Sequence, residues 1–211
     1  MHDLKLLEEA LIVGDWKTAA AATRAALAAG VAPLTIVTGH LMPAMDEVGR
    51  RFECEDYFVP EMLLSARAMK ASMELLRPLL VQQGVEPVGR VVIGTVKGDL
   101  HDIGKNLVAA MLEGGGFEVI DLGADVAPEL FIEAAAARNA DLVALSALLT
   151  VTMGWMKTTI DAFQAAGLRE KVKIMVGGAP VTQQYADAIG ADGFTDSAGS
   201  AVALARKLVA A

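Results

Sequence analysis

The chain has 211 residues, enough for one large domain or two small ones, each with its own core. A net charge of −8 argues against a nucleic-acid surface, which needs a basic face to meet phosphate. No apolar run reaches the roughly 18 residues that cross a bilayer, and Met1-His2-Asp3-Leu4-Lys5, followed by Glu8 and Glu9, is unlike a secretory leader.

Residues 1–82 carry helical periodicity and no strand pattern. Leu4, Leu7, Leu11 and Ile12 make a first stripe. Asp15 is placed to cap a second helix from Trp16 to Ala29, which stops at Gly30. Pro33 opens a third helix through Leu41, Met45 and Val48 to Phe52. Pro60 opens a fourth, where Met62, Leu63, Ala66, Met69, Met73 and Leu76 follow helical spacing. His2 reads as solvated, His40 as a packing or surface residue, and the methionines as core filler. Cys54 stands alone between Glu53 and Glu55; it permits no internal disulfide, reads as inert and fits a cytoplasmic location. Four short-looped helices predict a bundle over 1–82, followed by a linker at 83–88.

From residue 89 to 211 the pattern becomes alternating α/β. Strands are expected at 90–96, 117–121, 141–145, 172–176 and 193–194, with helices over 103–113, 128–138, 153–167, 182–189 and 198–209. Such alternation predicts a parallel sheet covered on both faces. Five strands favour the flavodoxin-like, Rossmann-type order 2-1-3-4-5, whose switch point lies between the first and third strands.

The loops that leave the strands carry the chemistry. Gly98-Asp99-Leu100-His101-Asp102-Ile103-Gly104 follows the first strand. Asp99, two residues before His101, can hydrogen-bond one ring nitrogen and leave the other free for a metal. Ser146-Ala147-Leu148 follows the third strand, and Gly177-Gly178-Ala179 the fourth. Lys97 and Lys105 suit either contact with a polar ligand or a solvated loop.

Asp-x-His-x-x-Gly, then Ser-x-Leu, then Gly-Gly resembles the signature of the cobalamin-binding domain of B12-dependent methyltransferases and mutases, including methionine synthase. Met42-Pro43-Ala44-Met45-Asp46-Glu47-Val48-Gly49 and Tyr57-Phe58-Val59-Pro60-Glu61 resemble the helical cap of methyl-carrying cobalamin proteins. The resemblance covers nearly the whole chain and is greatest to stand-alone corrinoid proteins of methylamine, methanol or O-demethylase systems.

That resemblance implies a cobalamin cofactor, methylcobalamin or a related corrinoid, with His101 as the lower ligand of its cobalt. Asp99 and Thr152 would complete a relay behind His101. The bound tail would run past Gly98, Asp102, Ile103, Gly104, Ser146, Leu148, Thr150, Gly177, Gly178 and Ala179, with Phe58 and Met62 of the cap facing the other side. It also implies a methyl carrier rather than a complete enzyme. Its partners would be a substrate-specific methyltransferase, an acceptor methyltransferase working on a thiol or pterin, and a corrinoid reactivation protein. A cobalamin sensor normally adds a DNA-binding domain, and small mutase subunits generally lack the cap. A plain flavodoxin-like module would leave the three-part motif unexplained.

Overall fold

The computed structural model describes residues 4–210; His2 lies outside them. The chain divides into two units. One ends at Pro87 and takes in Glu113–Gly116; the other comprises Val88–Leu112 and the chain from Phe117 onward.

In the first unit, α1 (Leu4–Ile12) buries Leu7, Ala10 and Leu11. Gly14 follows with φ +78, where an added Cβ would lie 2.4 Å from Leu64 Cβ, so this turn requires glycine. Asp15 caps α2 (Trp16–Ala28): its Oδ1 accepts the Lys17 and Thr18 N–H groups at 3.2 and 3.1 Å.

The expected third helix is present but interrupted. Helix α3 (Pro33–Ile36) passes through a π turn, Val37–Leu41, into α4 (Met42–Glu53). Pro43 explains the interruption, because its ring would crowd the carbonyl of Gly39 and it has no N–H to donate. The Met42 N–H reaches back to Val37 O instead, which widens the turn. In α5 (Val59–Gln82), Glu61 accepts the Phe58 N–H at 3.0 Å, and the helix continues through Pro78. His40 packs as expected, with Nδ1 2.6 Å from Glu8 Oε1. Cys54 is exposed and has a basic neighbour that adjacent residues did not reveal: Arg50 Nη1, one turn back, at 3.9 Å.

The second unit is a five-stranded parallel sheet in the expected order β2-β1-β3-β4-β5. Its elements are β1 (Arg90–Thr95), α6 (Ile103–Gly114), β2 (Glu118–Asp121), α7 (Pro128–Arg138) and β3 (Leu142–Ser146). Then come α8 (Gly154–Ala165), β4 (Lys173–Gly177), α9 (Gln183–Ile189), β5 (Gly193–Thr195) and α10 (Ala198–Val209).

Alternation along β1 splits the core in two. Val92 joins Phe131, Val143, Phe163 and Val176 on one face, while Val91 and Ile93 join Leu112, Phe117, Met175 and Ala205 on the other. Phe131 and Phe163 have no solvent exposure, and each such side chain contributes about 1.5–3 kcal/mol through its burial. At the C-terminal edge of the sheet, Thr95, Ser146, Gly177 and Thr195 align in register across four strands. Small side chains thus end all four strands, on either side of the point where strand order reverses.

Candidate functional site

The loop after β1 is built as a sharp turn. Val96 bridges Val126, the Asp99 N–H closes back onto Val96 O at 3.2 Å, and Gly98 between them takes φ +79. Thr95 Oγ1 donates to the His101 carbonyl at 2.9 Å and ties the motif to the strand end.

Asp99 is fully buried and its carboxylate collects five donors. Oδ1 takes His101 Nδ1 at 2.7 Å and the His101 backbone N–H at 3.1 Å. Oδ2 takes the Leu148 N–H at 2.8 Å, the Leu149 N–H at 3.2 Å and Thr152 Oγ1 at 2.7 Å. Burial pushes the Asp99 pKa up, but hydrogen bonds from Thr152, His101 and the backbone outweigh it and hold the carboxyl well below the usual range.

An ionised carboxylate only accepts, so the His101 Nδ1 facing it must carry the proton. Neutral His101 then presents a lone pair at Nε2, the state that binds metals. Its side chain is half exposed, at 50%, and so open to a ligand. The structure therefore brings His101, Asp99 and Thr152 into one hydrogen-bonded chain.

The other expected positions fall into distinct settings. Gly178 has φ +134, and a Cβ there would stand 1.9 Å from Ala147 O; only glycine lets the two loops approach so closely. A Cβ on Gly177 would lie 3.2 Å from Thr195 O, whereas one on Gly104 would meet nothing within 4 Å. Ser146 and Asp102 are half-buried, while Ile103, Leu148, Thr150 and Ala179 are exposed. In the first unit Phe58 is exposed and Met62 fully buried.

Sequence reasoning missed several neighbours. Lys105 is buried rather than solvated, its ammonium bonded to both oxygens of Asp121 and, at 2.6 Å, to Asn106 Oδ1. Its ammonium is thus committed within the fold. Leu100, Leu149 and Val151 are further exposed aliphatics on the two loops that Asp99 joins, beside the expected Leu148 and Ile103, the latter at the start of α6. An aliphatic excess on loops at strand ends was the signal available for them. Asp125 Oδ1 accepts the Gly98 N–H at 2.7 Å, a contact between loops with no local spacing cue.

A single donor does not hold a bare metal ion. Among the described residues no group of three or more His, Cys, Asp or Glu side chains is placed to hold one. A metal taken up by His101 would have to bring its other ligands with it, as a macrocycle does, and the exposed aliphatic loops suit such a ligand. At a sheet switch point, this donor set fits the α/β domains that carry a metal macrocycle.

Residues 89–205 match the family described as B12 binding domain, and residues 4–77 match a second family of the same description. The dimethylamine corrinoid protein of Methanosarcina barkeri is 46% identical over 179 residues, 84% of each chain. Trimethylamine corrinoid protein 1 of Methanosarcina acetivorans is 41% identical over 204 residues, 96% of this chain and 94% of that one. The structure of the methanol:cobalamin methyltransferase complex MtaBC from Methanosarcina barkeri aligns over 98% of this chain and 79% of its own, with 29% identity and a TM-score of 0.85. The chain belongs to the B12-binding family and, within it, to the corrinoid proteins of methyltransferase systems. Its cofactor is a corrinoid, and its class is that of cofactor-carrying subunits rather than stand-alone enzymes. No helix among the described residues is long and apolar enough to cross a membrane.

Proposed function

We propose that the chain binds cobalamin with its own nucleotide base detached and His101 Nε2 as lower ligand. In this reading it carries a methyl group from a donor-specific methyltransferase to a second methyltransferase, which acts on a thiol or pterin. The observation that carries the reading is the 2.7 Å bond between His101 Nδ1 and the buried carboxylate of Asp99. That bond sets the tautomer and aims the free nitrogen outward.

When bound, the corrinoid supplies the cobalt that takes up and releases the methyl group. The chain supplies the rest. Asp99 fixes and orients the His101 ring through Nδ1, and Thr152 holds the far oxygen of Asp99. Ser146, Thr150 and the backbone of Gly177, Gly178 and Ala179 offer polar groups to a nucleotide tail. Gly98, Asp102, Ile103, Gly104 and Leu148 line the approach to His101. In the helical unit, exposed Phe58 is the side chain suited to shield the reactive face from water, while Met62 is fully buried. The segment 83–88 would serve as the hinge for this cap. A corrinoid reactivation protein is the third partner, and the cytoplasm the proposed location.

The test loads the purified chain with hydroxocobalamin, reduces it and offers it methylamines, methanol or methoxyaromatics, each with its methyltransferase. The reading predicts methylation with one donor class and loss of turnover in His101→Ala. Full turnover in that variant would overturn it.

A further inference from the structure

Asp125 lies outside the three-part motif, in the loop between β2 and α7. It is one of three described non-glycine residues with positive φ, at +56. The other two lie beside helix ends: Asn139 caps α7, and Glu55 follows the end of α4. Asp125 instead faces the histidine loop. Its Oδ1 accepts the Gly98 N–H at 2.7 Å, and its own N–H donates to the Asp99 carbonyl at 2.9 Å.

Both backbone groups end on this one residue, and they flank the side chain that orients His101. Gly98 is the flexible point of the turn, with φ +79, so the segment needs an outside support. The supporting loop is anchored in turn. Val126 donates to Thr95 O at 3.0 Å, Gly123 donates to Asp121 Oδ1 at 2.8 Å, and Asp121 holds the buried Lys105. Aspartate tolerates the left-handed conformation better than most side chains, and it adds an acceptor that glycine lacks.

We infer that Asp125 is a positioning residue for His101, its carboxylate pinning the Gly98 amide so that Asp99 meets the imidazole at a fixed angle. The inference rests on the proposed ligation by His101, yet its first test needs no cofactor. Asp125→Gly keeps the backbone conformation and the bond to the Asp99 carbonyl but removes the side-chain acceptor. Asp125→Asn keeps both an acceptor oxygen and tolerance of positive φ.

In the cofactor-free protein, hydrogen exchange at the Gly98 amide should rise at least about tenfold in Asp125→Gly, while β3 amides keep wild-type protection. The hydrogen-bonded Nδ1–H resonance of His101 should broaden or vanish. Hydroxocobalamin binding should weaken about tenfold, within the range seen when groups supporting a metal ligand are lost. Asp125→Asn should restore all three. A sharp, unshifted His101 Nδ1–H signal in Asp125→Gly would overturn the inference, as would equal defects in the Asn variant. Wild-type protein that binds cobalamin without nitrogen ligation from His101 would refute the proposed function instead, leaving the clamp measured in the free protein intact.

Discussion

Thr152 Oγ1 lies 2.7 Å from Asp99 Oδ2, joining the loops that leave β3 and β1. The same hydroxyl is 2.8 Å from Leu149 O, but it has only one proton to give. A charged acceptor binds that proton more strongly than a neutral carbonyl, so the proton belongs on the carboxylate side. Threonine's branched Cβ restricts its rotamers, which suits a residue that must hold one direction.

Replacing that hydroxyl isolates its contribution. Thr152→Val keeps the shape, leaves Asp99 one donor short and should cost about 1–2 kcal/mol of folding stability. For a chain of this size that is a fall of roughly 2–8 °C in Tm by calorimetry. Thr152→Ser should recover most of it. A valine variant as stable as wild type would show that the bond contributes nothing.

Asp99→Asn is a sharper change than its size suggests. One amide end can still accept from His101, but the other then presents N–H to the donors of Leu148, Leu149 and Thr152. The single oxygen is drawn to those three donors, which turns the amide N–H toward His101 Nδ1. The histidine then loses its fixed tautomer, and cobalamin affinity should fall about 10–100-fold, measured by absorbance titration.

Acid should act through the same carboxyl. Its pKa in the fold lies below the ordinary 3.8, so the unfolded chain takes up the proton first. The stabilisation by Asp99 is complete above about pH 5 and is lost as pH falls through 3.8 toward the lower folded value. Thr152→Val raises that folded value and should narrow the difference between acidic and neutral stability. Circular dichroism of the cofactor-free protein between neutral pH and about pH 2 measures this.

Two glycines separate fold from function. Gly178→Ala forces a methyl group into the Ala147 carbonyl and should cost about 3 kcal/mol or more, read as lost expression or a lowered Tm. Gly104→Ala meets open space in the first turn of α6, so stability should hold or rise by up to about 1 kcal/mol. If Gly104 serves cofactor entry, this stable variant should nevertheless load cobalamin more weakly.

The strands, their order and the Asp99–His101 pairing were legible in the sequence, whereas Thr152 followed only from the family resemblance. Buried parallel strands leave continuous apolar runs, and the motif residues stand directly at their ends. The π turn at Val37–Leu41 was not legible, because Pro43 follows an unbroken helical pattern and shows its effect only through the carbonyl it displaces. Lys105 looked like a loop cation, because it stands in the first turn of α6 and its partner Asp121 ends β2, 16 residues on. Asp125 was missed for the same reason: contacts between loops follow from topology, not spacing. The aliphatics Leu100 and Val151 stood in strand-end loops of the sequence, but their exposure followed only from the fold.

Electron paramagnetic resonance of the cobalt(II)-loaded protein tests His101 ligation most directly. The protein should be made with histidine carrying the heavy nitrogen isotope and loaded with unlabelled cobalamin. The account predicts axial hyperfine lines split into doublets by a single heavy nitrogen, and loss of that splitting in His101→Ala. Triplet splitting unchanged by the label would contradict it, because the axial nitrogen would then belong to the cofactor's own base.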